Sequence, residues 1–263
     1  MFAVSALFWL VMTGLLVQRE LAPLYRDSGE PNGYEVLLAG VKEPRKTRME
    51  ILVGDRRAGW TETEIRPEED DSYRISTRTE VDFYVVAGSL GPMLDNPDLA
   101  EGLVFKSDQK LWIGGDFQLR EMEIHIDSPI FVFEQKGVVD GDDLHLRTVY
   151  GGTVEEKTID ASEHPLFGEA ATPFVMPRDL SIGKSWEMVR INPLDGSKTI
   201  YRGEVVDRER QHPWRKKFRD VYVVKIADRQ KTVEITSFVT PEGELLEQWL
   251  PYHVVLVLEE PGS

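Results

Sequence analysis

The sequence predicts a mainly β fold: one large, curled antiparallel sheet or half-open barrel with one or two short helices, preceded by an N-terminal apolar helix. Residues 73–83 alternate without a break between apolar or β-branched side chains and polar ones, which point to opposite faces of a strand. Such a strand would span about 36 Å, roughly twice a common strand. Similar runs, separated by turn residues, recur through most of the chain after residue 48. Residues 1–18, in contrast, carry no charged side chain.

Composition limits the classes of protein that this chain can belong to. After the apolar segment about 240 residues remain, a size at which all-β domains commonly form one unit. The net charge is −15, and an acidic surface repels phosphate backbones, so we expect no nucleic-acid partner. The chain has no cysteine, which excludes disulfides, thiolate metal sites and cysteine nucleophiles.

The N-terminal segment predicts membrane attachment. We divide the chain into an anchor or signal segment at 1–18, a turn-rich tether at 19–48 with one short helix or strand, and an antiparallel β domain at 49–263. No basic residue precedes the apolar segment and no small-x-small cleavage site follows it, which favours an uncleaved anchor over a cleaved signal peptide. A buried core helix is the remaining alternative. Arg19 and Arg26 would keep the domain in the cytoplasm by the positive-inside rule, but Glu20 and Asp27 accompany them.

Turn residues place the strands of the β domain. A hairpin is predicted around residues 54–57, and the sequence Asp140-Gly141 predicts another, because both residue types tolerate positive φ. A one-residue slip in the alternation at Arg120-Glu121 predicts a β-bulge. Two stretches break the pattern: 84–104 predicts a small helix with a start or turn at Asn96–Asp98, and 164–179 predicts a loop that packs. The last predicted strands are 186–191, 199–206, 221–226, 232–239, 245–250 and 254–258.

Three short motifs carry a resemblance to a family. They are Gly59-Trp60 after a hairpin, Ile182–Trp186 after an apolar, proline-containing loop, and Thr240–Leu245. Together they resemble uncharacterised bacterial envelope proteins of the DUF3108 type. The resemblance implies an exported antiparallel β fold, loosely similar to the half-barrel of lipoprotein carriers, and therefore a domain on the extracytoplasmic, periplasmic side. It implies no known activity, so it carries over no functional residues.

Trp60, Glu62 and Glu64 form the first candidate site. They share one face of a predicted strand, and carboxylates at i and i+2 stand roughly 7 Å apart, a separation compatible with glycosidase acid/base pairs. The indole could stack on a sugar ring. A solvated strand face is the alternative, and Glu121 and Glu123 repeat the pattern.

The second candidate site is the basic stretch 208–219, which stands out in an acidic chain. Its residues Trp214, Arg215, Lys216, Lys217 and Arg219 predict contact with anionic lipid headgroups or an acidic partner from a loop or hairpin tip. The alternative is a solvated turn. We predict no catalytic residue, metal site or cofactor, because the histidines lack ligand spacing and the aspartates of 140–143 lack the other ligands of a calcium loop.

These observations favour a membrane-anchored, non-catalytic envelope β domain that binds an apolar ligand or another envelope protein. Two alternatives stay open. One is an enzyme that acts on envelope polysaccharide through Glu62 and Glu64. The other is a purely structural assembly protein.

Overall fold

A computed structural model describes residues 33–38, 40–90, 102–129, 131–162, 166–167, 176–177, 179–192 and 196–260. All of them belong to the second of two compact units, which begins at residue 32. The predicted anchor at 1–18 lies outside the described residues. Within the described ranges no helix is long and apolar enough to cross a membrane.

The described chain contains fifteen strands and two short helices. The helices are α1 (Tyr34–Leu38) and α2 (Phe83–Leu90). The strands are β1 (Arg45–Val53), β2 (Arg56–Pro67), β3 (Tyr73–Asp82), β4 (Val104–Ile113), β5 (Leu119–Ser128), β6 (Phe131–Asp140), β7 (Asp143–Tyr150), β8 (Thr153–Asp160), β9 (Leu166–Phe167), β10 (Ser185–Ile191), β11 (Lys198–Trp214), β12 (Lys217–Asp228), β13 (Glu234–Val239), β14 (Leu245–Leu250) and β15 (Val254–Leu258).

These strands form one large sheet, as the alternation predicted. Its order is β8-β7-β6-β5-β4-β3-β2-β1-β15-β14-β13-β12-β11-β10-β9. Neighbours pair antiparallel, except that the two-residue β9 lies parallel to β10. Two meanders of consecutive hairpins, β1–β8 and β10–β15, are therefore joined side by side by the pairing of β1 with β15. The sheet is not closed, because β8 and β9 are its two ends.

The two ends of the sheet nevertheless approach each other through side chains. Ile159 of β8 and Ile191 of β10 belong to the same buried apolar cluster. Lys198 Nζ lies 3.1 Å from the Oδ2 of Asp160, which joins β11 to β8. A Cβ added at Gly196 would lie 2.6 Å from the Cδ1 of Ile159. The sheet must therefore bend until strands at opposite ends of its order lie near each other.

We call the face that carries Ile75, Thr77 and Thr79 of β3 the inner face, because all three side chains are buried. The same alternation runs through the neighbouring strands. At one end of this face, α1 packs on the sheet: Tyr34 and Leu38 are buried among apolar side chains of β2 to β8. Predominantly charged and polar side chains occupy the opposite, outer face of β1 to β5.

Several local predictions are confirmed. β1 and β2 form the first hairpin, and β6 and β7 form the one at Asp140-Gly141. Ile113 pairs with Leu119 while Trp112 pairs with Glu121, so Arg120 is the extra residue of the predicted bulge. α2 lies mostly within the stretch 84–104, where a small helix was predicted. The predicted helix start or turn at Asn96–Asp98 lies outside the described residues.

The region predicted as a tether contributes to the β unit. α1 lies within it, β1 begins at Arg45, and Val41 is buried between them. The short helix is therefore packed on the sheet, and the sheet starts four residues before the predicted boundary at 49.

The basic stretch is the end of a hairpin, which is the second of the two predicted alternatives, a loop or a hairpin tip. β11 continues to Trp214 and β12 begins at Lys217, so that only Arg215 and Lys216 form the turn. The pairing of β11 with β12 shifts register twice, between Val205 and Asp207 and between Glu209 and His212. Bulges of this kind bend a strand and increase its twist. We call residues 207–221 the hairpin arm.

Candidate functional site

The predicted site at Trp60 and Glu62 lies in a network of charges on the outer face. Lys46 Nζ lies 2.9 Å from Glu62, and Arg48 lies 3.6 Å from the same carboxylate and 2.9 Å from Glu259. The Arg48 guanidinium also stands 4.2 Å from the ring centre of Trp60. Lys46 and Arg48 lie on β1, Glu62 on β2, and Glu259 directly follows β15, so the network connects β1 to β2 and to the end of β15.

Glu64 does not have the properties of a catalytic acid. Arg66 Nη2 lies 2.5 Å from its Oε1. This hydrogen bond, supported by the charges of Arg66, Lys46 and Arg78, lowers the pKa of Glu64 below its ordinary value. A glycosidase acid needs a raised pKa. The pKa of Glu64 is thus shifted away from that of a glycosidase acid.

The structure corrects the placement of Trp214. The side chain was predicted to lie at a membrane interface, but it is 3% exposed and belongs to a buried cluster with Phe238, Leu246 and Leu256. Arg215 and Arg219 stand 5.8 and 5.4 Å from its ring. The sequence could not show this, because the burial of Trp214 depends on the bend of the arm towards distant strands.

The cations of the arm also make contacts within the protein. Arg215 donates from Nε and Nη2 to the carbonyl oxygen of Leu258, and its Nη2 lies 3.2 Å from Glu50. Lys217 pairs with Glu260 at 2.9 Å, and Arg208 pairs with Asp220 at 2.6 Å. Arg215 and Lys217 therefore hold the arm on β1 and on the end of β15, whereas Arg208 pairs within the arm.

His212 fixes the middle of the arm and was missed by sequence reasoning. It is 6% exposed and its ring stacks on Phe238 with centroids 4.2 Å apart. Its Nδ1 lies 3.0 Å from Glu209 and its Nε2 lies 3.8 Å from Glu247. Because Pro213 and Phe218 occupy the opposite face of the arm, Phe218 is 72% exposed.

An aromatic row crosses the inner face at the end far from α1. It consists of Phe83, Phe105, Phe131 and Tyr150, with successive ring centroids 5.1, 5.7 and 5.7 Å apart. The three phenylalanines are half-buried and Tyr150 is 55% exposed. Phe105 and Tyr150 have the parity of inner-face residues in the alternation, but only the pairing of β3 through β7 brings the four rings together.

Burial along β4 shows that this end of the inner face is the more open one. Ile113 is fully buried and Leu111 and Gln109 are almost so, whereas Ser107 and Phe105 are only half-buried. β7 shows the same gradient, from Leu144 at 0% to Tyr150 at 55% exposed. The inner face therefore has a filled end under α1 and an open end at the aromatic row.

A belt of neutral polar side chains separates the two ends. The hydroxyl oxygens of Thr61 and Thr79 share a hydrogen bond of 3.0 Å. Those of Thr63 and Thr77 share one of 3.2 Å. The amide nitrogen of Gln135 donates to Thr148 at 2.9 Å. Gln109 is 3% exposed, and its Nε2 has no hydrogen-bond partner. We call Thr61, Thr63, Thr77, Thr79, Gln109, Gln135 and Thr148 the polar belt.

Across the described residues, no group of three or more histidine, aspartate or glutamate side chains could hold a metal ion. The inner face offers aromatic rings, hydroxyls and carboxamides. These groups can make apolar contacts and hydrogen bonds.

The chain is a mainly β protein built on one open antiparallel sheet, and comparisons with known proteins add two distant likenesses. No family model and no curated protein matches it, so the DUF3108 resemblance stays a prediction. A β-barrel-like protein of the domain of unknown function DUF1849 from Brucella abortus is 10% identical, with 83% of this chain and 98% of that chain covered at a TM-score of 0.48. A DUF1089 family protein from Pseudomonas aeruginosa is 16% identical, with 80% and 93% covered at a TM-score of 0.41.

Proposed function

We propose that this protein is a non-catalytic β domain, held at the extracytoplasmic side of a membrane by residues 1–18, that binds an apolar ligand on its inner face. The observation that carries the binding proposal is the aromatic row at the open end of that face. Four rings with centroids 5.1 to 5.7 Å apart keep exposed surface beside an otherwise buried core.

The physical basis is the apolar area that the row leaves uncovered. Burying apolar surface contributes about 25 cal/mol per Å². A ligand that lies along the row would contact several rings at once, and aromatic rings lose little conformational freedom when they are covered. Ligand sites are typically apolar surfaces with a few polar groups, and the polar belt lies directly beneath the row.

Titration of the full chain in detergent with a fluorescent apolar probe tests this function. We expect Tyr150→Ala to weaken probe binding about fivefold, since the loss of one ring removes about 1 kcal/mol of contact. Phe218→Ala is the matched control, because it removes an even more exposed ring elsewhere and should leave binding unchanged. Failure of the wild-type chain to bind the probe, together with native mass spectra that show no co-purified ligand, would refute the proposal.

The membrane part of the proposal is supported by the sequence of residues 1–18 and by the resemblance to exported proteins. We retain the turn of the arm as a further contact with anionic headgroups, through Lys216 beside the exposed Phe218. The alternative of a polysaccharide-acting enzyme receives less support, because Glu62 and Glu64 are both paired with cations. An envelope protein that binds the domain would reach Phe218 more readily than the inner face.

A further inference from the structure

We infer that the polar belt is the binding site for an uncharged, hydrogen-bond-accepting head group, so that the ligand is a neutral amphiphile rather than a plain hydrocarbon or an acid. This inference rests on the proposed function and adds the chemistry of the ligand. It starts from Gln109, whose amide nitrogen has no hydrogen-bond partner although the residue is 97% buried, being 3% exposed.

An unpartnered buried amide is costly. A buried donor that has left water without gaining a partner destabilises the folded state, and buried polar groups in native structures are mostly hydrogen-bonded. A methionine or leucine would fill the same place on β4 without this cost. The presence of a glutamine at this buried position is therefore explained if a bound ligand accepts a hydrogen bond from its amide nitrogen.

The location of Gln109 connects it to the aromatic row. Phe105, Ser107 and Gln109 point to the same side of β4, with exposure falling from Phe105 towards Gln109. A ligand whose apolar part lies on the row would thus direct its other end towards Ser107 and Gln109. The three side-chain torsions of Gln109 allow its amide to turn towards such a group.

The belt also specifies that the head group is uncharged. All seven of its side chains are hydroxyls or carboxamides, and none carries a charge. A carboxylate or ammonium placed among them would lose its hydration without gaining a counter-ion, which disfavours a charged head group. An ester or amide carbonyl, or a sugar hydroxyl, would accept the hydrogen bond without that penalty.

The test uses three probes of equal chain length: a fatty acid methyl ester, an alkane and a carboxylate. Each is titrated into the full chain in detergent, and native mass spectrometry reports the bound fraction. The key variant is Gln109→Met, which keeps the length of the side chain but removes the donor. Gln118→Met, in the turn between β4 and β5, is the matched control. Each probe partitions into detergent to the same extent whichever variant is present, so comparing the ester-to-alkane binding ratio between variants removes this effect.

We expect the ester-to-alkane binding ratio to fall about fivefold in Gln109→Met, since one net hydrogen bond is lost, and to stay constant in Gln118→Met. The carboxylate should bind more weakly than the ester at neutral pH. The thermal midpoint of Gln109→Met should not fall, because the variant removes an unsatisfied donor. An unchanged ratio in folded Gln109→Met, or a carboxylate that binds as tightly as the ester, would overturn this inference while the proposed function stands. If no probe binds the wild-type chain, the proposed function fails first.

Discussion

At the scale of single residues, Gly59 explains one of the motifs that the sequence displays. A Cβ at this position would lie 1.9 Å from the carbonyl oxygen of Glu80 on β3. The neighbouring backbone therefore occupies the space that any other side chain would need. Trp60, the next residue, points to the outer face beneath Arg48. The Gly-Trp pair thus combines a close contact with the neighbouring strand and an aromatic ring that the Arg48 guanidinium covers.

We predict that Gly59→Ala destabilises the protein by about 3 kcal/mol or more, because the clash is with backbone that cannot turn away. Gly152→Ala is the control: its φ of +79° gives an alanine there a strained backbone, but nothing lies within 4 Å of the new Cβ. That substitution should cost about 1 kcal/mol. Chemical denaturation measures both, and equal losses for the two variants would contradict the close contact.

The limits of prediction from sequence are also visible at this scale. Alternation is a local signal, so the faces of Ile75, Thr77 and Arg78 followed directly from their order in the chain. The burial of Trp214 did not, because it depends on two bulges and on strands far away in sequence. The same holds for the aromatic row, whose four rings come from separate elements and meet only through strand register.

At the scale of elements, the ends of the sheet are held together by contacts between side chains instead of ladder hydrogen bonds. Asp160 closes the end of β8: its Oδ1 accepts from the hydroxyl and the backbone N–H of Ser162, and its Oδ2 lies 3.1 Å from Lys198 on β11. The hydrogen bonds from Ser162 and then the one from Lys198 lower the pKa of Asp160 to about 2.

The lowered pKa of Asp160 predicts that its contribution to the stability of the fold changes with pH. Because the folded pKa lies below the unfolded value of about 3.9, Asp160 stabilises the fold above pH about 4, and this contribution is lost as the pH falls towards about 2. Asp160→Asn should therefore be less stable than wild type at pH 7, and the difference should shrink as the pH falls from about 4 through about 2. The free energy of unfolding of both proteins, measured by urea at several pH values, checks this. A difference that is constant with pH would contradict it.

At the scale of the whole β unit, α1 packs into one of the buried apolar clusters that the strands form. Tyr34, Leu38 and Val41 are all less than 9% exposed and belong to the cluster that includes Ile75, Leu111 and Leu144. Turn residues such as Pro23, Gly33 and Pro44 made residues 19–48 resemble a tether, because composition reports the turns and not the three apolar side chains that pack between them. The second compact unit begins at residue 32, so it includes α1 and Val41.

Two truncations distinguish this boundary from the predicted one at 49. A chain that starts at residue 32 should keep the folded β unit and its unfolding midpoint. A chain that starts at Arg45 loses three buried apolar side chains, each worth about 1.5–3 kcal/mol, and should lose about 5 kcal/mol of the roughly 5–15 kcal/mol typical of a domain. Circular dichroism with urea denaturation measures both.

If both truncated chains unfold at the same urea concentration, α1 contributes nothing to the core. If the chain from residue 32 aggregates while the full chain in detergent is folded, residues 1–31 are required for folding and the anchor-and-tether interpretation of the N-terminus is wrong.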